Sequence, residues 1–155
     1  MRLPIRESAR AIIVDPDNRV LLMQIKPDFA IDPKRPELVA YWITPGGGVR
    51  DGERIEAAIV RELAEETGFC DLAPGPFIHS LDQELMWKGE LTIIRDHYFL
   101  VRAPQTDLSI DQMEEEERSI FQGYRWWPVC DLRAASFDLR PETLKELIPH
   151  WLGLR

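Results

Sequence analysis

Short apolar stretches recur along the chain, each ended by a break rich in Pro, Gly, Asn or Asp. Ala9 to Val14 and Val20 to Ile25 read as two strands around the turn Asp15-Pro16-Asp17-Asn18-Arg19. The second, VLLMQI, is almost continuously apolar, the pattern of a strand inside a sheet. Val39 to Ile43 reads as a short strand. Phe77 to Leu85 and Leu91 to Val101 read as a pair joined through Trp87-Lys88-Gly89-Glu90, and Gly123 to Val129 as a further strand. Arg54 to Thr67 is built of good helix formers without Pro or Gly, with Asp51 or Gly52 to start it and Gly68 to end it. Pro141 to Trp151 is helical, with Pro141 in its first turn and Gly153 beyond its end. Cys130 to Ala135 is expected to be a short helix, and the acidic run Ser109 to Arg118 a loop or short helix. Lys26 to Ala40 is a long polar connection carrying three prolines. It is either a solvated insertion or a flap that brings Lys26, Lys34 or Arg35 over a ligand. Strands on both sides of a central helix, with a terminal helix for the other face, predict an α/β fold with a mixed sheet between helices.

A length of 155 residues is one domain's worth, so residues 1–155 are read as a single unit. The net charge of -8 excludes a nonspecific nucleic-acid binder, which would show a basic face, and no nucleic-acid partner is expected. It does not exclude nucleotides, whose phosphates a divalent ion can screen. Cys70 and Cys130 form no spaced metal motif; as lone cysteines they are expected in the core, in a reduced cytoplasm. No stretch approaches the length of a membrane span, and MRLPIRESAR lacks the apolar centre of a signal peptide.

The central helix carries the chemistry. At 100° per residue Glu62, Glu65 and Glu66 share one arc, with Ala58 among them, and Ile59, Val60 and Leu63 share the neighbouring, core-facing arc. Like charges at these spacings cost an isolated helix roughly 0.2–0.5 kcal/mol per pair, which a bound cation would offset. Hard oxygen donors without His or Cys suit Mg²⁺, with Mn²⁺ as a substitute. A Glu-rich helix face is ordinarily just solvated. The run Thr44-Pro45-Gly46-Gly47-Gly48 ahead of this one shifts the reading, because bare backbone there can approach a ligand or metal closely.

The spacing Gly47-x5-Glu53-x7-Arg61-Glu62-Leu63-x-Glu65-Glu66-x-Gly68-Phe69 resembles a complete Nudix box, matching at every defined position. The resemblance implies a Nudix-type α/β/α sandwich and a Mg²⁺-dependent hydrolase of nucleoside diphosphate derivatives or nucleoside triphosphates. It implies Glu62, Glu65 and Glu66 as metal ligands, with a carbonyl of Gly46 or Gly47 beside them. Glu62 is also a candidate general base, and Glu66, Arg61 and Glu53 join it in the catalytic set, the last two by positioning. In similar proteins a later loop adds a ligand or base. Glu114-Glu115-Glu116-Glu117, otherwise a solvated run, falls where that loop belongs, with Glu115 and Glu116 central. Relatives are often homodimers.

Two further readings stand beside the hydrolase: a nucleotide-sensing module that does not cleave, and an isopentenyl-diphosphate-isomerase-like enzyme. The intact carboxylates count against the first, and the short chain against the second. The markers of ADP-ribose and diadenosine polyphosphate subfamilies are absent from Glu84 to Trp87. His79, His97 and His150 form no ligand pair, and Arg10, Arg95 and Arg125 are read first as salt-bridge partners. Trp126 and Trp127 could stack a base, but at least one should face the core.

Overall fold

The computed structural model describes residues 2–70 and 72–154. Its strands are β1 (Ile5–Val14), β2 (Arg19–Ile25), β3 (Tyr41–Ile43), β4 (Gly46–Gly48), β5 (Phe77–Trp87), β6 (Glu90–Arg102) and β7 (Phe121–Pro128). The helices are α1 (Ile55–Thr67), α2 (Glu115–Ile120) and α3 (Leu144–Trp151), with a 3₁₀ turn at Val129–Asp131. The strands make one seven-stranded sheet in the order β3-β2-β1-β6-β5, with β4 added on β1 and β7 on β2. The sheet is mixed: β1 and β6 run parallel and the other pairs antiparallel.

Alternation along the central strands sorts the core into two layers. Ala9, Ala11 and Ile13 of β1, with Leu21, Phe99 and Val101, pack against Ile59 and Leu63 of α1. Ile12 and Val14, with Val20, Leu22 and Tyr98, pack on the other face against Leu144 and Ile148 of α3. Covered on both sides, β2 has little need of polar positions, which explains the nearly continuous apolar run VLLMQI, broken only at Gln24. The expected α/β fold, a mixed sheet between helices, is the one found.

Several boundaries differ from expectation. β1 begins at Ile5, because Arg6, Glu7 and Ser8 pair in parallel with Ile94, Arg95 and Asp96 of β6. α1 begins at Ile55; Asp51 and Gly52 form the preceding turn, with Gly52 at φ 76°, and Glu53 stays free for other work. Gly68 ends α1 as predicted, at φ 79°, its N–H donating to the carbonyl of Ala64. β3 starts only at Tyr41, leaving Val39 exposed, and α3 starts at Leu144 after a turn from Pro141. The two cysteines are exposed rather than buried, since their neighbours Phe69 and Val129 occupy the core positions. Trp127 stacks on Phe137 in the layer beneath α3. Among the described residues no helix is long and apolar enough to cross a membrane.

Candidate active site

The glycine loop and α1 are fastened to each other by side chains of α1. Glu66 is buried and accepts the N–H of Gly46 at 2.6 Å. Glu62 is buried against Gly47, where an added Cβ would fall 2.5 Å from a Glu62 oxygen. Gly46 is at φ 142°, and a Cβ there would meet the Ala9 carbonyl at 2.1 Å. Tyr124 of β7 donates its hydroxyl to the Glu66 carbonyl, closing the far side.

Arg61 organises the acidic face. Its Nε and Nη2 each donate to a separate oxygen of Glu53 at 2.9 Å, a bidentate pair. Nη2 also donates to the Gly48 carbonyl at 2.8 Å, while Nη1 reaches Glu62 at 3.0 Å and Glu65 at 3.4 Å. The Arg61 bond holds the Glu53 carboxyl down at about 2, and the same bond raises the Arg61 guanidinium above its ordinary value. Glu65 is half-buried, its second neighbour being Arg50 at 3.6 Å.

Glu117 of α2 completes the group. One carboxylate oxygen each from Glu62, Glu66 and Glu117 lie within 4.8 Å of one another. Glu62 Oε2, Glu66 Oε1 and Glu117 Oε2 are all buried without a hydrogen-bond partner among the described residues. Burial, then the Glu117 charge, pushes Glu62 up to about 7; burial with Glu117 raises Glu66 well above the carboxylate range. Crowded, desolvated, orphaned carboxylate oxygens make a poor resting arrangement and a good oxygen cage for a hard divalent cation. The donor set therefore fits Mg²⁺ or Mn²⁺. The Gly46 carbonyl already accepts from Arg10 at 3.0 Å.

The cage opens on a cavity of about 500 Å³. Arg6, Arg10, Gly46–Gly48, Glu66 and Glu117 line one part of it. Met23, Ile25, Tyr41, Ile43, Leu85 and Trp87 give the rest an apolar wall. Arg10 is held by Asp96 at 3.5 Å and by the carbonyls of Thr44 and Gly46, both at 3.0 Å. Asp96 is buried, and accepts from Ser8 and, at 2.8 Å, from Gln83 Nε2.

Of the residues singled out from sequence, Glu62 and Glu66 converge, Glu53 and Arg61 buttress them, and Gly46 and Gly47 lie against them, whereas Glu65, expected as a third metal ligand, faces Arg61 and Arg50 instead of joining the group. Of the run Glu114 to Glu117 it is Glu117, rather than the central Glu115 or Glu116, that meets Glu62 and Glu66; Glu115 and Glu116 are exposed, and Glu116 borders the cavity. Glu117 is half-buried in α2, three residues before Ile120, which packs with Met113 into a third apolar cluster. The long connection also borders the cavity otherwise than expected, through Pro27, Phe29 and Ile31 rather than its basic residues. Arg35 is engaged by Glu37 and Asp138. Arg6, Asp96 and Gln83 were not anticipated. His97 is fixed between Ser80 at 2.6 Å and Glu7 at 2.5 Å, away from the cage.

Comparison with known proteins agrees with this geometry. The chain is 40% identical over 123 residues to an RNA pyrophosphohydrolase of Erythrobacter litoralis, covering 73% of this chain and 74% of that protein. It is 28% identical over 139 residues to the nucleoside triphosphatase NudI of Escherichia coli O139:H28, covering 87% and 89%. The crystal structure of a MutT protein from Methanosarcina mazei Go1 superposes with a TM-score of 0.68 at 18% identity, over 99% of this chain and 96% of that one. The NUDIX domain family model matches residues 4–150, nearly the whole chain, and the protein belongs to the Nudix family.

Proposed function

We propose that this Nudix hydrolase cleaves the pyrophosphate linkage of a nucleoside triphosphate or other nucleoside diphosphate derivative, using Mg²⁺ or Mn²⁺ held by Glu62, Glu66 and Glu117. The observation that carries this reading is the convergence of three carboxylates, each with one buried and unpartnered oxygen, beside a nucleotide-sized cavity. Glu62, Glu66 and Glu117 would hold a divalent ion there, and it would supply positive charge against the phosphate oxygens. The protein's own residues supply the rest. Glu66 fixes the Gly46 backbone, and Arg61, locked on Glu53, sets the positions of Glu62 and Glu65. The apolar wall receives the nucleoside and excludes water from one side of the reaction. Two exposed unpaired thiols suit a reducing compartment, which supports a cytoplasmic setting.

A second reading, that the triphosphate is the 5′ end of an RNA, is favoured by the likeness to the Erythrobacter litoralis enzyme. A net charge of -8 gives little electrostatic help to a polynucleotide, so the free nucleotide is the first reading.

The test is hydrolysis of the four nucleoside triphosphates and of a 5′-triphosphorylated oligoribonucleotide, with and without Mg²⁺ or Mn²⁺, products identified by mass. Cleavage is expected only with the metal, and Glu66→Gln should lower kcat by at least about 10²-fold. Turnover that survives chelation, or is unchanged in Glu66→Gln, would defeat the proposal. Preference for the oligonucleotide over all four free nucleotides would decide for the second reading.

A further inference from the structure

Three arginines line the cavity, and two of them are already spoken for. Arg10 is engaged by Asp96 and two carbonyls, and Arg140 pairs with Asp32 at 2.8 Å. Arg6 has no hydrogen-bond or ion-pair partner among the described residues. Its guanidinium carbon instead lies 3.9 Å from the centre of the Trp87 ring. On the loop side the guanidinium rests against Gly48, where an added Cβ would come within 2.1 Å of Nη2. A stack on an aromatic ring engages the face of a guanidinium and leaves the N–H donors at its edge unused. The absence of a side chain at Gly48 is what lets the group sit beside the carboxylate cage. Burial, helped by the neighbouring Arg10 charge, lowers Arg6 below an ordinary arginine. A partly desolvated cation with free donors is stabilised by an anion entering the cavity.

We propose that Arg6, clamped between the Trp87 ring and the bare backbone of Gly48, is the side chain that binds a nonbridging oxygen of the substrate's pyrophosphate. This assignment rests on the hydrolase reading above and adds to it a ligand that belongs to neither the metal cage nor the nucleoside wall. It also gives Gly48 a function separate from its neighbours: Gly46 and Gly47 make room for backbone and for Glu62, whereas Gly48 makes room for Arg6.

Calorimetric titration of inorganic pyrophosphate into the full chain with Mg²⁺ reads this contact apart from nucleotide turnover. Arg6→Met is expected to raise Kd at least about tenfold, and Arg6→Lys by less, since a charge without the planar fork is retained. Gly48→Ala, which displaces the guanidinium, should approach the Arg6→Met value. The double variant should be no worse than Arg6→Met alone, because the two changes remove one contact. Melting temperatures should stay within about 2 °C of wild type, which a merely structural role would not allow. Pyrophosphate affinity within twofold of wild type in Arg6→Met, additive losses in the double variant, or no binding to the wild-type protein would each overturn the assignment. Arg6-dependent pyrophosphate binding in a protein that hydrolyses no nucleotide would sink the hydrolase reading and leave Arg6 as an anion ligand.

Discussion

Two arginines meet at Gly48 and do opposite things there. Arg61 of α1 uses its donors on Glu53, Glu62, Glu65 and the Gly48 carbonyl, and points at nothing outside the protein. Arg6 of β1 touches the same glycine from the cavity, stacks on Trp87 and leaves its donors free. The difference separates construction from recognition. A guanidinium with every donor satisfied by the fold fixes the shape of the acidic face, and its loss is felt by the protein. One whose donors wait in a cavity stabilises the fold little, and its loss is felt by the ligand.

The largest effect should come from the carboxylates that both arginines border. Glu117→Gln is expected to lower kcat by about 10²-fold or more, while Glu115→Gln stays within about twofold, since only Glu117 joins Glu62 and Glu66. Steady-state kinetics at saturating Mg²⁺ checks this, and equal effects in the two variants would remove α2 from the site.

Arg61→Gln comes next and should contrast with Arg6→Met. Removing Arg61 leaves Glu53, Glu62 and Glu65 without their shared cation, at a cost of about 1–3 kcal/mol of stability. With the carboxylates no longer held, kcat should fall by about 10-fold, because small misplacements at a reacting centre are expensive. Chemical denaturation and kinetics on both variants test the division. A stability loss in Arg6→Met as large as that in Arg61→Gln would erase it.

The same division explains what could be read without a structure. Construction leaves periodic marks. The apolar arc of Ile59 and Leu63, the left-handed stop at Gly68 and the doubly covered β2 all followed from spacing, because burial and backbone conformation act over neighbours in sequence. The box residues were legible because one helix and one loop carry them all. Recognition drew on places far apart. Arg6, Gln83 and Asp96 come from three strands, and only the register Ser8 to Asp96 and Gln83 to Ile94 brings them to one cavity. Their strands are legible in the sequence, but the apolar signal of β1 starts only at Ala9, since Arg6, Glu7 and Ser8 are polar. In fact Arg6 and Arg10 continue the period of two, carried into the cavity after the core has ended. Glu117 was legible only as one of four: in a run of identical residues composition cannot choose, and only the fold brings this one to Glu62 and Glu66.

The smallest expected effect tests the construction side alone. Glu53 is held at about 2 by its bidentate bond to Arg61, well below the roughly 4.3 of an unfolded chain. A carboxylate with a lowered folded-state value stabilises the protein above its unfolded value and loses that contribution as pH falls toward the folded one. Arg61 stays charged throughout, so Glu53 is the partner that titrates. Glu53→Gln should therefore have a lower urea midpoint than wild type at pH 7, with the gap narrowing below about pH 4.3 and closing toward pH 2. Arg6→Met has no ionised partner to protonate, and its much smaller gap should not follow that course. A Glu53→Gln gap that stayed constant from pH 7 down to pH 3 would mean the bond to Arg61 shapes the acidic face without stabilising the fold, and that Arg61 serves the ligand after all.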